Sequence, residues 1–175
     1  LEAEAKRNLE ESQKVSLNVS EYEKFCDTFK FTETPDQERV IREVIADLLS
    51  DKPQDRLICG EVGFGKTEVA LRASFIVAQN DYQVCILAPT TVLAKQHFEV
   101  FKERFSEFPY KTCLLTREQT KTEKAEIYKK IKENHFSIII GTHALFNKEI
   151  SFKSLNLLII DEEHKFGVRQ KEQIR

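Results

Sequence analysis

Four residues within an eight-residue window carry the first chemical signal. Gly60, Gly65, Lys66 and Thr67 stand in the run GEVGFGKT, at the spacing G-x-x-x-x-G-K-T. Glycines let a backbone turn tightly enough for its N–H groups to converge on a phosphate. A helix that begins at the end of the run adds the positive end of its dipole. Lys66 then reaches the β- and γ-phosphates as a point charge, and the Thr67 hydroxyl ligates Mg2+. Glu61, Val62, Gly63, Phe64 and Gly65 in the turn, with Lys66, Thr67 and Glu68 after it, form the expected nucleotide-contact set. The alternative is an accidental glycine turn. The run follows a short apolar stretch and opens an apolar-faced helix, which is the context such a phosphate loop requires.

A second signal lies in LLIIDEEH, where Asp161 and Glu162 end an apolar run. In open α/β sheets, ligands gather at the carboxyl ends of the strands. There Asp161 is expected to hold Mg2+ through water, opposite Thr67, and Glu162 to accept a proton from the attacking water or orient it. Lys66, Asp161 and Glu162 are therefore the expected catalytic set, and Thr67 and Asp161 the metal-linked pair. A solvated, acidic strand end is the plainer reading of the same letters, and the phosphate loop weighs against it. No second histidine or cysteine stands at ligand spacing from His164, so zinc is not expected there.

These groups need a scaffold that brings a loop and a strand end together. From residue 56 onward, short apolar runs alternate with helical patterns. Strands are expected at 56–60, 83–88, 111–116, 136–141 and 155–160, with helices at 66–79, 92–107 and 118–134. Continuous apolar runs suit strands buried on both faces of a parallel sheet. The alternation predicts a doubly wound α/β fold. Before it, Thr34, Pro35 and Gln37 read as an N-cap, a first helical residue and the far side of a capping box. Residues 1–14 read as a polar helix, and 15–33 as a connector with a short helical stretch around Tyr22–Phe25. The division expected is a linker over 1–33 and a lobe over 34–175. Phe98, Phe101, Phe105 and Phe108 recur at helical spacing and are expected in the core rather than as a base-stacking platform.

Composition narrows the classes. The 175 residues balance 27 Lys and Arg against 29 Asp and Glu, so bulk charge does not recruit nucleic acid and any contact must be local. No apolar run approaches the roughly 18 residues of a spanning helix. Four cysteines at 26, 59, 85 and 113 match neither a metal knuckle nor a redox pair and are expected to be structural, in a reduced, cytoplasmic protein. The chain starts at Leu1 and contains no methionine, which predicts a segment of something longer.

The phosphate loop together with D-E-x-H resembles the superfamily 2 helicases and translocases. APTTVLAKQH at 88–97 and IIIGTHALF at 138–146 resemble two further motifs of that superfamily. With ETPDQ and LLIIDEEHKFGVRQKE, the pattern over about 21–175 resembles the bacterial transcription-repair coupling factor family. Branch-migration helicases are the nearest alternative, but there Ser is expected in place of Phe64 and Gln in place of Glu163. The resemblance implies a RecA-like nucleotide-binding lobe whose sheet is mostly parallel and sandwiched by helices, with an N-terminal linker helix.

It also implies roles. Gln37 would read the adenine edge, in competition with its capping box, and Phe29 or Phe31 would lie on the base unless buried. Pro89, Thr90 and Thr91 would contact a DNA phosphate, as would Gly141, Thr142 and His143, with helix capping as the alternative for the threonines. Thr116 and Arg117 are a weaker third candidate, since Thr116 could cap a helix with Gln119. His164 would couple the nucleotide site to a second RecA-like lobe. The implied ligands are ATP, Mg2+ and double-stranded DNA. RNA polymerase and excision-repair proteins would be reached through other domains, and no membrane is involved. A stand-alone phosphate-loop kinase or switch is the alternative from a different class.

Overall fold

A computed structural model describes residues 14–51, 56, 58 and 65–161. The helix expected over 1–14 lies outside the described residues, as does most of the strand expected over 56–60. The chain forms two compact units, Leu1–Asn80 and Asp81–Arg175.

In the first unit, helix α1 spans Val19–Asp27, longer than the stretch legible in the sequence. It starts because the Asn18 side chain accepts the Glu21 amide at 3.3 Å. Its Phe25 is fully buried and stacks on Phe75, with ring centroids 4.3 Å apart. Helix α2, Pro35–Leu48, opens on the expected capping box. Thr34 Oγ1 accepts the Gln37 amide at 3.2 Å, and Gln37 Oε1 accepts the Thr34 amide at 2.9 Å. Helix α3 runs over Lys66–Gln79, with the expected bounds, and packs against both α1 and α2. It is buried almost all round rather than on one face, as befits an interior helix. At its end Asn80 accepts the Ser16 amide at 2.9 Å and donates to the Ser16 carbonyl at 2.8 Å, fixing the entering segment.

The second unit is a parallel sheet with helices. Strands β1 (Gln83–Leu87), β2 (Thr112–Leu115), β3 (Ile138–Gly141) and β4 (Leu155–Ile160) lie in the order β2-β3-β1-β4, every pair parallel. Helix α4 (Thr91–Arg104) links β1 to β2, and α5 (Lys121–Lys132) links β2 to β3. The first crossover moves outward past β3 and the second moves back, so right-handed connections put α4 and α5 on opposite faces. Residues of alternate parity separate accordingly. Cys85, Leu87, Cys113, Leu115 and Ile139 cluster with Ile127, Tyr128 and Ile131 of α5. Val84, Ile86, Ile138 and Ile140 are buried too, and alternation along the strands puts them on the other face. On α4, Phe101 and Phe105 are buried and stacked 6.0 Å apart, as expected of core residues, whereas Phe98 is only partly buried.

Several boundaries depart from expectation: α4 ends at Arg104, not 107, and β3 begins at Ile138, not 136. Helix α5 begins at Lys121, not 118. Thr116 and Gln119 do bond, the Thr116 amide to Gln119 Oε1 at 2.8 Å, but they close a turn. The helix-starting box is Thr120 with Glu123, one repeat later.

At the amino end of the sheet, Gln83 is fully buried and satisfied at both ends. Its Nε2 donates to the carbonyls of Ile131 (2.9 Å) and Phe136 (3.1 Å), and its Oε1 accepts the Ser154 amide at 3.1 Å. Truncation would remove these bonds from buried or partly buried backbone groups, of which the Ile131 carbonyl keeps the Asn134 amide. Gln83→Ala is therefore expected to lower stability by about 2–4 kcal/mol, read as the shift in urea midpoint at constant slope. A change within about 0.5 kcal/mol would refute that role for the amide.

Candidate functional site

Gly65 opens α3 at φ 80°, a left-handed conformation that glycine adopts without strain, and it provides no side-chain cap. A Cβ built there would collide with Gln37 Nε2, so the adenine-reading candidate lies directly against the end of the phosphate loop. Gln37 is 7% exposed. Its capping role is real, and it engages the oxygen end of the amide, which accepts the Thr34 N–H. Lys66 and Thr67 are exposed on the first turn. Glu68 is buried, and its carboxylate accepts from Arg72 Nε at 2.9 Å. Glu61, Val62, Gly63, Phe64, Glu162 and His164 lie outside the described residues.

Arg72 organises this end of the first unit. Its buried guanidinium donates to Glu68 on its own helix and to Glu33 beside the α2 cap, and it sits 5.6 Å from the centroid of the Phe29 ring. Burial opposes the charge, but the bonds to Glu33 and Glu68 more than offset it and hold the Arg72 pKa above its ordinary value. The same bond lowers the Glu33 pKa. Phe29 in turn meets Phe31 edge-on, at 5.8 Å and 64°. Phe31 is 76% exposed, so burial in the core is not its fate. Arg72, which sequence reasoning passed over, thus ties the α3 helix to the segment leading into Gln37.

In the second unit, parallel strands send all their carboxyl ends to one edge. Read across the sheet from β2 to β4, that edge carries Thr116 and Arg117, then Thr142 and His143, then Pro89 and Thr90, then Asp161. Thr90 caps α4, its Oγ1 accepting the Leu93 amide at 3.2 Å. A hydroxyl that accepts this bond still has a proton to donate. Thr91 is the first residue of the helix. Gly141 is buried in β3, where any Cβ would strike the Leu115 carbonyl. Thr142 is buried too, and its amide donates to that same carbonyl at 3.3 Å, so His143 is the exposed member of that trio.

Asp161 is anchored twice. Its amide donates to the Leu87 carbonyl at 2.9 Å, and its Oδ2 lies 2.8 Å from His97 Nε2. An ionised carboxylate only accepts, so Nε2 carries the shared hydrogen. His97 was visible within APTTVLAKQH, but a contact across 64 residues leaves no local signal. A carboxylate such as that of Asp161 is a hard oxygen donor, of the kind that suits Mg2+ held partly by water.

Residues 34–175 match the DEAD/DEAH box helicase family. The chain belongs to that family. Membership implies ATP binding. The chain is 43% identical over 175 residues to the transcription-repair-coupling factor of Escherichia coli K12, and 46% identical over 175 residues to that of Haemophilus influenzae. All of this chain is covered in both, but only 15% of either relative. Among solved structures, RecG bound to a three-way DNA junction superposes at TM-score 0.87 and 34% identity, over 95% of this chain and 23% of that one. Dbp5 of S. cerevisiae, at TM-score 0.64 and 19% identity over 89% of this chain and 41% of that one, shares the fold. The architecture is that of a RecA-like helicase lobe, as the sequence resemblance implied.

The Arg72–Glu33 contact has a pH signature. A carboxyl whose pKa is lowered by folding stabilises fully above its ordinary value of about 4.5 and loses that contribution as the pH falls through the lowered value. Urea midpoints measured between about pH 5 and pH 3 should fall less steeply in Glu33→Gln than in the wild type. Parallel slopes would dismiss the contact as a source of acid sensitivity.

Proposed function

We propose that residues 34–175 form the N-terminal RecA-like lobe of an ATP-dependent double-stranded DNA translocase, preceded by a linker over 1–33. The full-length protein, in this reading, acts on stalled RNA polymerase in transcription-coupled repair. The observation that carries it is the row along one sheet edge, with an aspartate after β4 and threonines after the other three strands. An acid at such a strand end suits a magnesium nucleotide, and hydroxyls at turn and helix starts suit nucleic-acid phosphates. Identity of 43% with the E. coli coupling factor along all 175 residues supports the biological task. The RecG likeness supports duplex DNA as the track.

Each residue then has a task. Lys66 and the loop 61–65 hold the triphosphate, while Gln37 reads the adenine edge and exposed Phe31 covers the base. Thr67 and Asp161 hold Mg2+, which neutralises phosphate charge when bound. Glu162 orients the attacking water and accepts its proton. Thr90, Thr91 and His143 touch the DNA backbone, and His164 couples to the second lobe. RNA polymerase and excision-repair proteins engage other parts of the longer protein, and the proposed location is the cytoplasm. Among the described residues, no helix is long and apolar enough to cross a membrane. RecG similarity favours one second reading, fork remodelling by the same motor. ATP-driven release of a stalled polymerase by the full-length protein supports the first reading, and fork remodelling without such release supports the second.

Glu162→Gln in the full-length protein should leave nucleotide binding within about threefold while cutting hydrolysis by about 10²–10⁴, the usual contribution of a positioned base. Unimpaired turnover would remove Glu162 from the reaction. A polypeptide of these 175 residues alone should hydrolyse ATP at least about 10³ more slowly than the full-length protein, because the charge-stabilising arginine of such sites contributes about 10³–10⁵ and here would come from the second lobe. Comparable DNA-stimulated rates in the two would defeat that expectation.

A further inference from the structure

We propose that His97 is a positioning residue. It fixes the rotamer of Asp161 and links that carboxylate mechanically to the helix carrying the proposed DNA contacts. This rests on the reading above and extends it to a residue that reading leaves without a role.

The geometry has three parts. First, His97 Nε2 and Asp161 Oδ2 are 2.8 Å apart, with side chains only 21% and 32% exposed. At that distance and partial burial, the bond favours one orientation of the carboxylate. Second, the Asp161 backbone is held to the end of β1 through Leu87, and the histidine bonds one oxygen of the side chain, so both parts of the residue are tied to named elements. Third, His97 lies seven residues beyond Thr90 on the same helix. Seven residues are two helical turns, or about 10 Å, and return to the same face. Helix α4 packs on β2 and β3, its Phe101 is buried, and the Thr90 cap fixes its first turn. A phosphate bound at Thr90 and Thr91 would pull on the first turn of α4, and His97, in the middle of that helix, holds the acid proposed to bind the metal.

The bland reading is a surface ion pair, of the kind that contributes little to stability. The two readings differ in what a substitution changes. A surface pair would affect stability slightly and nothing else. A positioning residue would change how the nucleotide site senses magnesium and DNA. Partners that orient a metal-holding side chain typically contribute about 10–100-fold in metal affinity.

The experiment uses the full-length protein as wild type, His97→Ala and His97→Gln, the last keeping a donor near the Nε2 position. Two quantities are read. One is the Mg2+ concentration at half-saturation for binding a fluorescent, non-hydrolysable ATP analogue. The other is the factor by which duplex DNA stimulates hydrolysis. In His97→Ala the magnesium half-point should rise about tenfold and DNA stimulation should fall by a similar factor, with the melting temperature unchanged. His97→Gln should recover most of both. Wild-type magnesium dependence and stimulation in His97→Ala would overturn the inference and leave the translocase reading intact. A shifted half-point with full DNA stimulation would overturn the link through α4. Equal losses in both variants with a lowered melting temperature would reduce His97 to a packing role. Wild-type protein that fails to bind the analogue with magnesium would overturn the translocase reading and this inference together.

Discussion

Parallel pairing of β1 with β3 on one side and β4 on the other is the constraint on which the second unit's chemistry depends. An antiparallel neighbour would send its carboxyl end to the far edge and remove its residue from the row. Here the registers align Leu87 with both Gly141 and Ile160, so three strands finish level and the residues just beyond them become neighbours. The same pairing supplies anchors for those residues. Ala88 donates to the Gly141 carbonyl, and Asp161 donates to that of Leu87, at 2.9 Å each. The hydrogen-bond ladder therefore continues one residue past the strands and holds the chemical groups on rigid backbone.

The first unit solves a different problem, that of placing Gln37, the side chain proposed to read adenine, against Gly65 at the start of α3. It does so with a buried guanidinium. Removing Arg72 would take its guanidinium from two carboxylates, one of them buried, which is costlier than losing an exposed pair. Glycine at position 65 is the complementary device, because its missing Cβ is the space that the Gln37 amide occupies.

Much of this was legible beforehand, for reasons that lie in particular residues. Apolar runs such as LNLLII mark buried parallel strands, and β4 has the expected bounds. The Thr34–Gln37 box is local chemistry, so the start of α2 could be read directly. Where two boxes lie in sequence, reading fails. Thr116 and Gln119 have the same letters and spacing as a cap but close a turn, and only the structure separates them from Thr120 and Glu123. Long-range contacts were hidden altogether. Nothing in a helical pattern says that His97 reaches Asp161, or that Arg72 reaches back to Glu33. Phe31 misled in another way, since an aromatic between polar neighbours suggests burial and here the ring stands in solvent.

The cysteines of the sheet add a practical property. Residues 81–175 contain two, Cys85 and Cys113. Both are buried, and both thiols resist ionisation, burial pushing that of Cys85 up to about 12 and that of Cys113 higher still. Alkylation requires the thiolate and access to it. A maleimide dye is therefore blind to these two sulfurs while the sheet is intact, and their labelling acts as a built-in clock for its opening, with no engineered tag.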